Sequence, residues 1–209
     1  MLKYKIVDNF LNDKDFNQLS SLKLDKIPSD SIKIYHNEID KNNKIISNSL
    51  NDELILTLNK NYHQKTFEIL KELNYEKSKL YEYSDFTIIK TGKNFKFPIH
   101  DDTPNKLLSG VIYIYPEKNT GTIFYKNQKG KEKSTIDWKQ NRAFFFSRIE
   151  RETWHSYEGN NESDRIALVY NLMTTQIKKV YEIEKKSYFI GNLRWKLNPH
   201  LYHYFKLYL

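Results

Sequence analysis

Apolar residues recur at two different spacings along this chain, and the change falls near Leu80. Between Asp52 and Asn74 they follow a helical repeat, with Leu54, Leu58, Tyr62, Phe67, Leu70 and Leu73 on one face. Asp52 is the expected cap of that helix. A strand-like KYKIVDNF opens the chain and leads into a shorter predicted helix, with Asp13 as its cap and Phe16 and Leu19 on its apolar side. Residues 21–50 are polar and read as irregular, apart from an extended piece near Ser31–Tyr35. From Leu80 the pattern becomes short runs between turn residues. It predicts strands at Tyr81–Lys90, Phe97–Asp102, Leu108–Tyr115, Gly121–Tyr125, Lys133–Asp137, Arg142–Arg148, Trp154–Tyr157 and Arg165–Met173. The breaks fall at Thr91-Gly92, Pro116–Thr120, Asn127–Gly130 and Gly159–Ser163. Seven or eight such strands predict a sandwich or squat barrel. Helical, aromatic-basic sequence returns from Ile177 to Leu209.

One domain is expected over residues 1–209. It divides into an N-terminal strand and helices (1–79), a β core (80–175) and a C-terminal helical extension (176–209). An aromatic fraction of 15% argues against disorder, and six glycines with five prolines leave no material for a long linker. There is no cysteine, so disulfides, thiolate metal sites and cysteine nucleophiles are excluded, and any metal must be held by nitrogen and oxygen. MLKYKIVDNFLNDKDF is charged throughout, unlike a signal peptide, and no stretch approaches the roughly 20 apolar residues of a membrane span. A cytoplasmic location is the expectation. The net charge of +8 could serve an anionic partner. The lysines are scattered, however, and no run reaches five like charges, so a nucleic-acid partner is disfavoured.

The chemistry concentrates in His100-Asp101-Asp102, in His155 far downstream, and in Arg165 ten residues further on. Strand alternation points His100 and Asp102 the same way and Asp101 the other way, outward or as an acceptor behind the ligands. Preceding Gly92 and Pro98 suit a turn that delivers the segment to a barrel mouth. Two imidazoles and one carboxylate can occupy one face of an octahedral metal and leave the opposite positions open, which suits ferrous iron binding a co-substrate and dioxygen together. An H-x-D triplet alone is weak in a chain with six histidines. It gains force from the strand-rich surroundings and from Arg165, a fixed cationic fork for a carboxylate. Alternation along the last strand puts Arg165, Ala167, Val169 and Asn171 on one face, as a cavity wall, and the apolar Ile166, Leu168, Tyr170 and Leu172 on the other.

In this order, H-x-D, the run LLSGVIYIYP, the strand GTIFY, the distal histidine and the later arginine resemble the iron(II)/2-oxoglutarate-dependent oxygenases, particularly the prolyl-4-hydroxylase-like branch. The resemblance covers Tyr81–Thr174 and, more loosely, IVDNFLNDKDFNQL. It implies a mainly β double-stranded β-helix (jelly-roll, cupin-like) with flanking helices. It implies Fe(II) on His100, Asp102 and His155, with 2-oxoglutarate and dioxygen as co-substrates and Arg165 holding the distal carboxylate. Tyr113 falls where relatives place a tyrosine that helps hold that carboxylate. Tyr115 on the same strand face could serve instead, and a core aromatic with a satisfied hydroxyl is the competing reading of Tyr113. Asn171 is a second-tier candidate for co-substrate or metal-bound water. Asn161, six after His155, is not basic, which counts against the branch that repairs alkylated bases.

The implied activity is hydroxylation of an unactivated C–H bond coupled to oxidative decarboxylation of 2-oxoglutarate, on an unidentified protein side chain or small metabolite or glycan precursor. The rival readings are a catalytically silent jelly-roll that binds or senses a ligand, and a basic nucleic-acid-binding domain. Trp138, Arg148 and Arg151 are candidates for contacting an anionic substrate at the mouth, and Trp154 for walling the substrate entrance or buttressing His155. Residues 21–50 and the turn around Asn160 are candidates to face substrate. His200 and His203 have helical spacing but no further ligand nearby, and His36 and His63 have no ligand-like company.

Overall fold

The computed structural model describes residues 3–205. Strand β1 (Tyr4–Val7) leads into helix α1 (Asp13–Ser20), then β2 (Ile32–Tyr35), β3 (Asn37–Asp40), β4 (Ile45–Asn48), helix α2 (Asp52–Leu73) and the single turn α3 (Tyr75–Ser78). The core strands follow as β5 (Tyr83–Thr91), β6 (Lys96–His100), β7 (Lys106–Tyr115), β8 (Thr122–Phe124), β9 (Ser134–Ile136), β10 (Ala143–Phe146), β11 (His155–Glu158) and β12 (Arg165–Met173). Helices α4 (Ile177–Glu184) and α5 (Tyr188–Phe205) complete the described chain. The last four residues of the expected helical tail, and the side chain of His203, lie outside the described residues.

Both helix caps sit one residue earlier than expected. Asn12 rather than Asp13 caps α1, accepting from the Asp15 amide at 2.8 Å, and Asn51 rather than Asp52 caps α2, accepting from the Glu53 amide at 2.7 Å. The acids that follow occupy the first turns, where they favour the positive end of the helix.

The strands form two antiparallel sheets. The larger runs β1-β10-β7-β12-β5-β3-β4, with β2 also on β5, and the smaller runs β6-β11-β8-β9. This is the jelly-roll expected from the sequence. Its large sheet separates two environments. On the outer face Ile166, Leu168, Tyr170 and Leu172 of β12 join Phe86, Ile88 and Ile112 in a buried cluster with Leu54, Leu58, Tyr62 and Leu70 of α2. Each of these side chains contributes about 1.5–3 kcal/mol by leaving water. On the inner face Tyr113, Phe144 and Phe146 meet Phe124 and Ile136 of the small sheet.

Residues 21–50 are more ordered than their composition suggests. β3 and β4 form a hairpin, and β3 extends the large sheet along β5. The strand signal is hidden because one of its inward positions is polar. Asn37 is fully buried and donates to the carbonyls of Tyr35 and Phe86 while accepting from the amides of Ser49 and Leu50.

The C-terminal helices attach through buried charge. Lys77 and Arg148 both bind Glu184, at 2.6 and 2.8 Å, with all three side chains out of solvent. Arg148 therefore does not reach the mouth as an anion contact. Its Nε instead donates to the backbone carbonyl of Asp102 at 3.0 Å, tying α4 to the segment that carries the candidate ligands. No described helix is long and apolar enough to cross a membrane.

Candidate functional site

His100 and His155 are direct cross-strand partners in the small sheet, and their ring centroids lie 4.2 Å apart. One nitrogen from each and one carboxylate oxygen of Asp102 lie within 4.8 Å of one another. No other group of three or more potential His, Asp or Glu ligands meets that test among the described residues. β6 stops at His100, so the strand is shorter than expected, yet the alternation continues through the next two residues. Asp102 turns toward the imidazoles while Asp101 turns away. Pro98 is inside β6 rather than in a preceding turn. An edge strand tolerates it, and the register shifts beside it.

The backbone fixes how the imidazoles are presented. His100 Nδ1 lies 2.9 Å from the Pro98 carbonyl, and His155 Nδ1 lies 2.8 Å from the Thr153 carbonyl. A carbonyl can only accept, so each Nδ1 carries the proton and each Nε2 keeps its lone pair for a cation. Asp101 is buried and works from behind this arrangement. It accepts from the Thr153 hydroxyl at 2.5 Å and the Arg151 amide at 2.7 Å, holding the loop whose carbonyl orients His155.

Electrostatics prepare the same group. Burial pushes the His100 imidazole down to about 3, with neighbouring His155 acting in the same direction. Burial works against ionisation of Asp102, but Lys106 and the two imidazoles outweigh it and hold that carboxyl well below the usual range. Lys106 Nζ lies 2.7 Å from Asp102 Oδ1, and Ser109 donates to Oδ2 at 2.5 Å. Burial thus keeps the His100 imidazole uncharged while Lys106 helps keep Asp102 ionised, so neither needs to lose a proton to take a cation.

At the start of β12, Arg165 is buried under the Tyr157 ring, with the guanidinium carbon 4.0 Å from the centroid. Tyr113 and Trp138 lie on it at 5.6 Å. Burial lowers its pKa from the usual value. Among the described residues no carboxylate pairs with it, and its Nε is buried without an acceptor. Thr91 faces it directly across the β5–β12 ladder, and the Thr91 hydroxyl is also buried without a partner. Two unsatisfied polar groups side by side in a native interior call for a missing partner. Thr91 escaped the sequence reading because Thr91-Gly92 looks like a break. Only the register with Arg165 brings it to the site.

Tyr113 behaves as the competing reading described. It is fully buried, and its hydroxyl donates toward Thr122 Oγ1 and the Ile136 carbonyl, 3.1 and 3.2 Å away, and accepts from the Thr122 amide at 3.0 Å. Its ring, rather than its hydroxyl, meets Arg165. Tyr115 is separated from it by a register shift against β12 and is exposed. Asn171 is buried on the inner face. Its Nδ2 donates to Asp85 at 2.9 Å and its Oδ1 lacks a donor. Trp138 stacks on Tyr113 at 4.3 Å and donates to the Pro116 carbonyl, and Trp154 is buried beside His155. A cleft of about 880 Å³ opens between β1 and the β8–β9 hairpin. Phe124 lines it and also packs against His155, so the triad lies behind this wall rather than on the cleft floor.

No family model and no curated protein matches the chain. Solved structures do match. A 2OG-Fe(II) oxygenase-family oxidoreductase from Burkholderia pseudomallei aligns with a TM-score of 0.59 at 12% identity, over 81% of this chain and 84% of that one. A Pseudomonas putida prolyl-4-hydroxylase aligns with a TM-score of 0.54 at 11% identity, over 83% and 94%. A Trichoplax adhaerens prolyl hydroxylase, solved with a hypoxia-inducible-factor peptide fragment, aligns with a TM-score of 0.57 at 15% identity, over 85% and 86%. The chain therefore has the fold of the 2-oxoglutarate/iron(II) oxygenases. Within that class its likeness extends to prolyl hydroxylases across nearly their whole length.

Proposed function

We propose that this protein is a non-haem iron(II), 2-oxoglutarate-dependent dioxygenase that hydroxylates a C–H bond. The observation that carries the reading is the buried guanidinium of Arg165, without a counter-ion among the described residues and beside the unpartnered Thr91 hydroxyl, on the face that also leads to the His100–Asp102–His155 group. The donor set fits ferrous iron, since nitrogen and oxygen ligands on one face leave positions open for a chelating co-substrate and dioxygen. Bound iron supplies the oxygen chemistry. In that chemistry the four electrons needed by dioxygen would come two from 2-oxoglutarate, leaving succinate and carbon dioxide, and two from the substrate C–H, leaving C–OH.

The chain's own residues then have separate tasks. His100, Asp102 and His155 hold the metal. Arg165 and Thr91 take the distal carboxylate of 2-oxoglutarate by charge-assisted hydrogen bonding. Tyr157, Tyr113 and Trp138 wall this end against water and strengthen that attraction. Ser109 and Lys106 orient Asp102, and Asp101 with Thr153 orients His155. The test is anaerobic addition of Fe(II) and then 2-oxoglutarate. A weak visible charge-transfer band that needs both is expected. Its absence, together with no measurable 2-oxoglutarate binding to metal-loaded protein, overturns the reading.

A further inference from the structure

Cross-strand register builds a row of hydrogen-bond acceptors beside the metal ligands. Glu38 on β3 faces Asp85 on β5, Asp85 faces Asn171 on β12, and Asn171 faces Ser109, whose hydroxyl binds Asp102. The Asn171–Asp85 hydrogen bond and the electrostatic effect of Asp85 on Glu38 show that these side chains share one face. The available donors do not satisfy the row. Asp85 is buried and takes the Thr87 hydroxyl and the Asn171 amide, while the Asn171 oxygen is buried without a donor. Glu38 is half-buried and makes no hydrogen bond or ion pair among the described residues. The nearby cation, Lys106, is committed to Asp102, and His36 Nδ1 bonds Thr87. In a chain of net charge +8, neither of these carboxylates is in an ion pair among the described residues, although Lys106 and His36 act on Asp85 and His36 on Glu38. They do not cluster tightly enough to be a second metal site.

We propose that Glu38, Asp85 and the Asn171 oxygen receive a cationic nitrogen group of the substrate, an alkylammonium or guanidinium, and so present its alkyl carbon to the iron. This rests on the dioxygenase reading above. Such a group brings several N–H donors and a positive charge, which the acceptor row lacks. A neutral or acidic group leaves buried Asp85 and half-buried Glu38 without an ion-pair partner, so selectivity arises as much from rejection as from attraction.

The probes are L-lysine against L-norleucine, L-arginine against L-citrulline, L-glutamate, and the capped peptides acetyl-Gly-Lys-Gly-amide and its norleucine counterpart. Binding is measured calorimetrically on protein loaded with Mn(II), with and without 2-oxoglutarate. A cationic probe is expected to bind at least about tenfold more tightly than its neutral partner, the smallest effect of a charge-assisted hydrogen bond. That preference should collapse in Glu38→Gln and in Asp85→Asn. The free and capped arms distinguish an amino acid from a protein side chain as the source. Equal or tighter binding of the neutral or acidic probes overturns the proposal. So does failure of every cationic probe to bind, or a preference that survives both substitutions. Glu38 is only half-buried, so Glu38→Gln is expected to fold even if Asp85→Asn does not. Titration of Mn(II) and 2-oxoglutarate on the same samples reports separately on the dioxygenase reading.

Discussion

Replacing Arg165 with methionine separates a residue kept for folding from one kept for a ligand. The guanidinium is buried with no carboxylate beside it among the described residues. Desolvating an ion costs several kcal/mol, and apolar replacement of buried ions is neutral to stabilising by about 1–4 kcal/mol. The stack on Tyr157, with the guanidinium carbon 4.0 Å from the ring centroid, returns about 2 kcal/mol of that cost. The net expectation for Arg165→Met without ligand is therefore unchanged stability or a gain of up to about 2 kcal/mol, which for a chain of this length raises Tm by up to about 8 °C. Binding should move the other way. Losing a buried charge-assisted contact to the 2-oxoglutarate carboxylate costs about 2–5 kcal/mol, a weakening of roughly 30-fold to several thousandfold. Thermal melts of metal-loaded parent and variant, each with and without 2-oxoglutarate, read both effects at once. At 100 times its dissociation constant the ligand should stabilise the parent by about 2.7 kcal/mol, and the variant at the same concentration by about 0.9 kcal/mol or less. A variant that loses 2 kcal/mol or more without ligand, yet binds 2-oxoglutarate like the parent, would refute the assignment and make Arg165 a structural residue.

Three further outcomes test neighbouring parts of the structure. Thr91→Val should weaken 2-oxoglutarate by about 1 kcal/mol, roughly fivefold, while Thr91→Ser keeps parental affinity; equal affinities in titration would remove Thr91 from the site. In metal-free protein, the depressed His100 imidazole binds no proton in the fold between its ordinary value and about 3, whereas the unfolded chain does, so stability should fall as pH drops through that window. Denaturant melts of His100→Gln should lose this part of the slope, and an unchanged slope would contradict the burial of His100. Glu184→Gln leaves Lys77 and Arg148 buried without their shared carboxylate and should cost about 3–5 kcal/mol. An unaltered melt would mean that the α4 attachment does not depend on this network.

Local pattern carried the elements, and register carried what local pattern could not. The α2 repeat and the alternation of β12 were legible because each places a continuous apolar stripe on one face. The triad was legible because alternation outlasts the strand itself by two residues, keeping Asp102 with His100. The β3–β4 hairpin was not legible, because buried Asn37 satisfies four backbone groups where a strand pattern calls for an apolar side chain. Arg148 looked like a turn-adjacent surface charge, since its partners Lys77 and Glu184 flank the core from distant points of the chain. Thr91 and Glu38 were invisible for a related reason. Each is an ordinary polar residue until a neighbouring strand sets Arg165 or Asp85 opposite it. The inner face thus carries unsatisfied polar groups at two places along β12, donors near Arg165 and acceptors near Asn171, six residues apart on one strand face. Folding alone gives no reason to bury either set. A carboxylate at one end and a cation at the other would satisfy both, and the ligand-binding measurements on Arg165, Thr91, Glu38 and Asp85 test those two demands independently.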